Sequence, residues 1–223
     1  MTSDNDWETV SAEQEQYYNS VAEGYVNWSH NRVEKRLSAE ARKYWLVDCE
    51  QIEMLRRKVI PSQGVVAEVG SGPSRLDMFS IKELLCIDIS FPMLRQARLR
   101  HQDRALFINA NSQAIPLIDS AVDFIVCSEL LSHMPDNLCL KSISEMFRIL
   151  RSGGMFLLID SHDPSTSFAR IEGDVQWRKT NGGEELRVYK KYRSLSWFLE
   201  HTQADITDSY EGRFLFCIVW QKK

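Results

Sequence analysis

The sequence predicts an α/β domain with a mostly parallel sheet, and three observations carry that prediction. Short apolar runs alternate with helical segments between residues 65 and 160. Several of the runs, such as F-I-V-C at residues 124–127, are apolar at every position, which is typical of strands buried on both faces of a parallel sheet. Residues 205–221 hold two further runs joined by Glu211-Gly212-Arg213, a hairpin signal, so we expect an antiparallel pair at one edge.

Apolar spacing and turn residues define the individual elements. Residues 37–59 carry apolar side chains at steps of three and four, which predicts an amphipathic helix. Ser90 is suited to cap a helix after the second strand, and S-G-G at residues 152–154 is expected to end another. A short helix is predicted at residues 195–202. The predicted strands are residues 65–69, 84–87, 105–108, 122–127, 155–160, 205–210 and 214–221.

Three stretches carry weaker signals. Residues 1–16 are polar and acidic, so we expect them to be mobile. Residues 19–27 are expected to form a turn of helix that carries aromatic side chains. Residues 163–185 are polar and contain glycine, which predicts a long loop over the sheet.

The composition is that of an ordinary globular protein. Its 223 residues suffice for one α/β domain, so we expect a single domain with residues 1–60 as a helical cap and residues 61–223 as the core. The net charge of −4 disfavours a nucleic-acid partner, which usually meets a basic face. The five cysteines are far apart without a C-x-x-C pair, so neither a metal site nor a disulfide framework is expected. No signal peptide or membrane-spanning run is visible, and a cytoplasmic location is expected.

The most informative stretch is residues 65–88, in which two apolar runs flank a glycine turn. Gly70 and Gly72 let the backbone turn sharply and approach a ligand, and a helix start after them would offer free N–H groups. Glu68 ends the first run and Asp88 ends the second. Because Asp88 is placed to accept hydrogen bonds from both ribose hydroxyls, the stretch predicts a nucleoside-binding loop, and its charge disfavours a 2′-phosphate.

The order of motifs resembles the class I S-adenosylmethionine-dependent methyltransferases, in particular their small-molecule, UbiE-like branch. The similar segments are Y-Y-N-S-V-A-E-G-Y at 17–25, E-V-G-S-G-P at 68–73, C-I-D-I-S at 86–90, N-A-N-S-Q-A-I-P-L at 109–117 with D-S-A-V-D-F-I-V-C-S-E at 119–129, L-S-H-M-P-D at 131–136, and R-I-L-R-S-G-G-M-F-L-L-I at 148–159. Three features depart from the family pattern. Ser74 replaces the usual third glycine, Asn111 replaces the usual acid, and the short stretch from Gly72 to Asp88 leaves room for only a truncated first helix.

The resemblance implies a Rossmann-like, seven-stranded sheet in the order 3-2-1-4-5-7-6 with strand seven antiparallel. It also implies S-adenosylmethionine as cofactor and S-adenosylhomocysteine as product, with methyl transfer to an O or N atom of a small molecule by in-line displacement. The expected partner is a small-molecule acceptor, and no membrane association is expected. The protein is expected to be a monomer or a homodimer.

The resemblance also assigns cofactor contacts. Gly70, Ser71 and Gly72 would line the methionine part, and Asp88 would hold the ribose. Ile89 and Met93 would flank the adenine. Asn111 and Ser112 would face the adenine edge, Ser128 would lie next to the amino-acid moiety, and Tyr18 and Tyr25 would close over its carboxylate. The full set of predicted cofactor contacts is Tyr18, Tyr25, Glu68, Gly70, Ser71, Gly72, Asp88, Ile89, Met93, Asn111, Ser112 and Ser128.

Two histidines are candidate catalytic bases. His133 follows the fourth strand and His162 follows the fifth, at the ends of strands where ligands bind in open α/β sheets. Either histidine is equally a polar loop residue that caps a turn. The candidate substrate contacts, which otherwise pack a lid or sit exposed, are Tyr17, Trp28, Glu129 and Trp177.

Three other functions are alternatives to this one. An NAD-dependent oxidoreductase is disfavoured because the chain has no Tyr-x-x-x-Lys pair and lacks the third glycine. A methyltransferase that acts on a protein, a peptide or RNA is an alternative, although residues 127–130 read C-S-E-L in place of a base-methylation motif. A catalytically inactive scaffold that binds the cofactor is the third.

Overall fold

The structure, a computed structural model, describes residues 4–25, 37–163 and 169–223. The helices are α1 (Asp4–Val21), α2 (Ala39–Val59), α3 (Phe91–His101), α4 (Asp136–Ile149) and α5 (Leu195–His201). The strands are β1 (Val65–Val69), β2 (Glu83–Asp88), β3 (Ala105–Asn109), β4 (Val122–Ser128), β5 (Leu150–Ser161), β6 (Arg170–Glu172), β7 (Val175–Lys179), β8 (Glu185–Tyr189), β9 (Asp205–Glu211) and β10 (Leu215–Gln221).

A seven-stranded sheet forms the centre of the protein, in the order β3-β2-β1-β4-β5-β10-β9. The pairs from β3 to β5 are parallel, whereas β10 runs antiparallel to both β5 and β9. The predicted order and the antiparallel seventh strand are therefore confirmed. The strand order reverses between β1 and β4, so ligands are expected at the carboxyl ends of these two strands.

Both faces of the sheet are buried, which explains why the strands are apolar at almost every position. Val66, Phe124 and Leu157 pack with Trp45 and Ile52 of α2 on one face. The alternate residues of the same strands pack with α4 on the other face; this set includes Ala67, Ile125, Leu158, Met146 and Ile149. Three predicted strand cysteines, Cys86, Cys127 and Cys217, are fully buried thiols in these clusters.

The helices after the nucleotide loop follow the sequence predictions except at the end of α4. Between β1 and β2 the chain forms only a 3-10 turn, Leu76–Met78, which confirms the truncated first helix. Ser90 caps α3, since its hydroxyl accepts a hydrogen bond from the Met93 amide at 3.3 Å. Helix α4 ends at Ile149 and the chain runs directly into β5 at Leu150, so the prediction that S-G-G at residues 152–154 ends the helix is wrong, since these residues lie within β5.

The prediction that residues 1–16 are mobile is wrong for residues 4–16, which belong to α1. The helix buries one stripe of side chains, with Val10 at 1% and Tyr17 at 0% exposure. The stripe advances by three or four residues, which is the helical period. It was obscured because a glutamine interrupts the apolar positions, which are Trp7, Val10, Gln14, Tyr17 and Val21.

The prediction of a long loop at residues 163–185 is also wrong for the described part of that stretch. Strands β6, β7 and β8 form a separate three-stranded antiparallel sheet. Gly173, with φ +60°, lies in the two-residue turn between β6 and β7, where glycine accepts the left-handed conformation. Both faces of this sheet mix apolar and polar side chains, with Leu186 and Val188 buried on one and Val175 and Tyr189 on the other. The stretch therefore reads as polar when its composition is averaged.

Helix α1 covers the exposed edge of β8. The backbone amide of Arg187 donates to Glu13 at 2.8 Å, and that of Tyr189 donates to Gln14 at 3.0 Å. Glu13 also accepts from the Arg187 guanidinium at 2.7 Å. Side chains of one helix thus replace the neighbouring strand that an edge strand lacks. We call α1 together with β6–β8 the roof, because it lies over the carboxyl end of the large sheet.

In the part of the chain that the structure describes, no helix is both long and apolar enough to cross a membrane. The same residues contain no group of three or more His, Cys, Asp or Glu side chains placed to hold a metal ion.

Candidate active site

A cleft opens between the carboxyl ends of β1, β2 and β4 and the roof. Its empty space, including the open solvent at its mouth, is about 680 Å³. Strand ends and the loops after them form one wall, and α1 forms the other. The lining residues are Trp7, Ser11, Gln14, Val69, Gly70, Ile87, Asp88, Ile89, Ala110, Asn111, Ser112, Gln113, Leu130, His133, Met134 and Leu138.

The glycine turn is shaped by two left-handed residues. Gly70 has φ +69° and packs so closely that an added Cβ would lie 2.8 Å from the Leu130 side chain. Gly72 has φ +51°, and an added Cβ would meet nothing within 4 Å, so its backbone borders open space. Ser74, the residue in place of the third glycine, keeps the left-handed conformation with φ +48°. The substitution therefore preserves the path of the loop.

Asp88 is fixed at the end of β2 by backbone donors. Its Oδ2 accepts from the Gly72 amide at 2.7 Å and its Oδ1 accepts from the Ser90 amide at 2.8 Å. Burial raises the pKa of the carboxyl, although these hydrogen bonds oppose that effect. A carboxylate has about four acceptor positions, so Asp88 keeps an acceptor position for a ligand hydroxyl. The Gly72 amide thus serves Asp88, in place of the free helix N-terminus that the sequence suggested.

The wall beyond Asp88 combines an exposed apolar side chain with polar ones. Ile89 is 52% exposed and lines the cleft, as a side chain must to lie against a flat ring. The Asn111 side-chain oxygen accepts from the Gln113 amide at 2.9 Å, and Ser112 hydrogen-bonds Ser142 at 2.9 Å. Ile89, Asn111 and Ser112 therefore come together with Asp88, as the resemblance implied.

Other predicted cofactor contacts lie behind the cleft surface. Glu68 is 5% exposed, and it accepts hydrogen bonds from the Ser74 side chain and the Arg75 backbone. Burial raises the pKa of Glu68 to about 7. Met93 packs under the roof with Tyr17, so neither Glu68 nor Met93 belongs to the lining. Five more predicted contacts are also outside the lining, and their cofactor contacts stay predictions; they are Tyr18, Tyr25, Ser71, Gly72 and Ser128.

His133 lies at the base of the cleft, with 8% exposure. Its Nδ1 is 2.8 Å from the Tyr189 carbonyl, which only accepts, so Nδ1 carries the proton. The Tyr18 hydroxyl lies 3.1 Å from the unprotonated Nε2 and 3.4 Å from Nδ1. Burial, followed by the positive charges of Lys190 and Arg178, lowers the pKa of His133 well below its ordinary value. The imidazole is therefore neutral, with one defined acceptor nitrogen.

The structure does not bring His162 to the cleft lining. Its Nε2 lies 3.1 Å from the Gly212 carbonyl and its Nδ1 lies 3.5 Å from Glu211, both in the β9–β10 hairpin. Trp177 alternates with Gln176 and Arg178 along β7, so it lies on the opposite face of the small sheet from them. Trp28 lies outside the described residues. Catalytic or substrate roles for these three residues stay predictions.

A cluster of ionic side chains joins the ends of β4 and β5 to the roof. The Lys190 ammonium donates to Glu129 at 2.9 Å and to Ser132 at 2.6 Å, and lies 3.6 Å from Asp160. Burial lowers the pKa of Lys190, but Glu129 and Asp160 outweigh it and raise the pKa overall. Glu129 has φ +55°, an uncommon conformation for a residue with a side chain. The predicted Glu129 is thus near the site, but already paired.

The residues that the roof contributes to the cleft were not predicted from the sequence. Trp7, Ser11 and Gln14 line the cleft, and the helical stripe of α1 was the signal that would have found them. Arg178 and Lys190 were also missed. Their local sequence carries no motif, because their partners lie far away in the chain.

The sheet order, the cleft at the point where that order reverses, and the acidic residue at the end of β2 define the fold of the class I methyltransferases. Comparison with known proteins agrees. A family model described as "Methyltransferase domain" matches residues 67–158. The structure has a TM-score of 0.73 with the "DhpI-SAM-HEP complex", at 17% identity over 98% of this chain and 99% of that one. A 1,6-didemethyltoxoflavin-N1-methyltransferase from Burkholderia thailandensis gives 0.51, at 14% identity over 94% and 90%.

Curated relatives point to the same family. The ubiquinone/menaquinone biosynthesis C-methyltransferase UbiE of Yersinia pestis (strain Pestoides F) is 27% identical over 172 residues, which cover 70% of this chain and 64% of UbiE. The enzyme of the same name from Serratia proteamaculans (strain 568) is 25% identical over 179 residues, or 73% and 66%. The chain thus spans about two thirds of the length of these relatives. Residues 67–158 thus match a methyltransferase domain, and the chain has the fold of the S-adenosylmethionine-dependent methyltransferases.

Proposed function

We propose that this protein transfers a methyl group from S-adenosylmethionine to an O or N atom of a small molecule. The observation that carries the proposal is the cleft itself. It places the Asp88 carboxylate, the left-handed Gly70–Gly72 turn and the exposed Ile89 side chain at the position where the strand order reverses. Its roof encloses a space suited to a small acceptor rather than to a macromolecule.

The residues of the cleft fit the cofactor. Asp88 retains an acceptor position for a ligand hydroxyl, and Ile89 offers an apolar surface to a purine. The backbone at Gly72 borders open space, which accommodates the methionine part. When bound, S-adenosylmethionine supplies a methyl group on a positively charged sulfur, already activated for displacement.

The remaining task of the protein is to align the acceptor and to receive its proton. The neutral His133 imidazole lines the cleft, and its unprotonated Nε2 lies 3.1 Å from the Tyr18 hydroxyl. A hydroxyl or ammonium acceptor can give up its proton to Nε2, either directly or through that hydroxyl. His133 is therefore the base that this geometry favours.

Carbon methylation is the second candidate, because the curated relatives are named C-methyltransferases. A carbon nucleophile also loses a proton, so the His133–Tyr18 pair serves either chemistry. Mass spectrometry of the product distinguishes them, since an N- or O-methyl group and a C-methyl group fragment differently.

Calorimetry with S-adenosylhomocysteine tests the proposal. We expect one binding site in the wild type and at least about tenfold weaker binding in Asp88→Ala, because a charged hydrogen-bond acceptor contributes about 1.5–3 kcal/mol. Asp103→Ala removes an exposed acid of the 3-10 turn after α3 and serves as the control. Radiolabelled S-adenosylmethionine and a panel of small hydroxy and amino compounds then report transfer. No binding to the wild type would refute a cofactor-dependent function.

A further inference from the structure

Arg178 directs a guanidinium group into the roof. It lies on β7 on the same face as Gln176, which is fully buried, and pairs with Leu186 of β8. That face packs against α1, and the guanidinium carbon of Arg178 lies 5.7 Å from the ring centre of Tyr17. The charged group therefore points toward the aromatic side chains of α1.

The hydrogen bonds of Arg178 leave one edge of the guanidinium available. Its Nε and Nη2 both donate to the Gln176 side-chain oxygen, at 3.2 and 2.8 Å. The Gln176 amide nitrogen donates to the Tyr192 hydroxyl at 3.0 Å, which fixes the orientation of the amide. Within the described ranges, no carboxylate forms a salt bridge with Arg178. Of its five N–H groups, the two on Nη1 and one on Nη2 thus have no protein acceptor there.

Other cationic side chains in the same region form salt bridges with carboxylates. Lys190 has Glu129 and Asp160, and the guanidinium of Arg193 reaches Asp136 at 2.8 Å. The ionisable groups that act most strongly on Arg178 are instead the hydroxyls of Tyr17, Tyr18, Tyr25 and Tyr192. A largely enclosed cation without an acidic partner is costly unless a ligand supplies the negative charge.

Arg178 is outside the cleft lining but is connected to it through aromatic rings. The Tyr17 ring, which faces its guanidinium, is 5.2 Å from the Tyr18 ring, and the Tyr18 ring is 5.6 Å from that of His133. The charge of Arg178 acts on His133 and on the hydroxyls of Tyr18 and Tyr25. Tyr18 in turn contacts the acceptor nitrogen of His133 at 3.1 Å. An anion held by Arg178 would therefore sit beside the base of the proposed reaction.

We propose that Arg178 binds an oxyanion, a carboxylate or a phosphoryl group, of the methyl acceptor. The free edge formed by Nη1 and Nη2 has the spacing for two parallel hydrogen bonds to such a group. The Tyr18 hydroxyl would then stand between the anchored oxyanion and His133. This inference rests on the proposed function, and it defines the acceptor as an anionic small molecule.

Binding of simple oxyanions to the protein loaded with S-adenosylhomocysteine tests the inference. Inorganic phosphate and acetate are titrated separately by calorimetry, so that the tighter probe identifies the kind of oxyanion. We expect millimolar binding to the wild type and at least about tenfold weaker binding to Arg178→Met, which keeps the apolar stem and removes the fork. Arg178→Lys keeps the charge without the fork and is expected to fall between the two.

The matched control is Arg213→Met, because Arg213 is exposed and stacks on the rings of Tyr44 and Phe214 at 4.9 and 5.2 Å, in the β9–β10 hairpin. It should bind phosphate and acetate as the wild type does. The absence of oxyanion binding to the loaded wild type, or equal binding by Arg178→Met, would overturn the inference and leave the proposed function intact.

The affinity for S-adenosylhomocysteine separates the acceptor from the cofactor as the source of the oxyanion. If Arg178→Met loses at least about tenfold in that affinity, the guanidinium holds the cofactor carboxylate and the assignment to the acceptor is wrong. Unchanged affinity supports the acceptor. Failure of S-adenosylhomocysteine to bind the wild type would refute the proposed function, and this inference with it.

Discussion

The Nε2 atom of His133 lies 3.1 Å from the hydroxyl of Tyr18, which joins the loop after β4 to the N-terminal helix α1. The relationship is directional, because the Tyr189 carbonyl at 2.8 Å requires the proton on Nδ1. Tyr18 must then donate and Nε2 must accept. The His133 side chain is thus oriented by the Tyr189 carbonyl of β8 and covered by Tyr18 of α1.

Removal of this base should reduce turnover. We expect His133→Phe to lower kcat by at least about 100-fold at saturating cofactor, the usual loss for a general base. His162→Phe should lose less than about tenfold, because His162 contacts the β9–β10 hairpin rather than the cleft lining. Steady-state kinetics with the identified acceptor measure both. Equal losses in the two variants would contradict this assignment.

The depressed pKa of His133 predicts a pH dependence of stability. The unfolded chain binds a proton at this residue near pH 6.5, whereas the folded state resists it, so folding loses stability as pH falls below about 6.5. His133→Gln should remove that part of the slope. Thermal unfolding between pH 5 and pH 7.5 measures the difference between the two proteins. His201→Gln, on the exposed end of α5, should keep the wild-type slope.

The raised pKa of Glu68 predicts a pH dependence of stability with the opposite sign. Its folded-state pKa of about 7 lies above its ordinary value of 4.5, so its contribution to folding is present at low pH and is lost as pH rises through 7. Glu68→Gln imitates the protonated form and should gain stability relative to the wild type from pH 5 to pH 8. Chemical denaturation across that range measures the gain. Glu83→Gln, at the exposed start of β2, should show no such trend.

Lys190 should be important for folding. Lys190→Met leaves the buried Asp160 without its cation, which typically costs about 3–5 kcal/mol. Asp160→Asn in the same protein should recover much of that loss, because no charge is then left unpaired. Urea denaturation of the single and double variants measures the coupling. Lys191→Met, which removes a partly exposed pair with Asp136, should cost about 0–1 kcal/mol.

Gln14 connects three parts of the site, since its oxygen accepts from the Tyr189 amide and its nitrogen donates to the His133 carbonyl at 3.2 Å. Gln14→Leu leaves both backbone groups without this partner, and we expect a loss of about 1–3 kcal/mol. Gln16→Leu removes only an exposed hydrogen bond to Glu184 and should be near neutral. Equal stability of the two variants would mean that α1 is not held by this residue.

The large sheet was predictable because its information is local. Apolar runs located the strands, and the acid at the end of β2 located the nucleoside site. Asp88 and its partner Gly72 are 16 residues apart, within one strand–loop–strand unit. Motifs of this kind are visible in a single sequence.

The roof was not predictable, because its contacts are long-range. Arg187 and Glu13 are 174 residues apart, and Lys190 and Ser132 are 58 apart. A helix with a glutamine in its buried stripe and a small sheet with polar side chains on both faces look irregular when only neighbouring residues are compared. Contacts between residues far apart in the sequence determine this helix and this small sheet, and such contacts leave no local sequence pattern.

The side-chain oxygens of α1 that accept hydrogen bonds from β8 couple the motions of these two elements. The amides of Arg187 and Tyr189 are bonded by successive residues of one helix, so detachment of α1 breaks both bonds at once. In hydrogen-exchange terms the two amides and α1 form one cooperative opening unit. Entry of an acceptor and deuterium uptake at these amides should then share one rate, and a ligand that closes the cleft should slow both together.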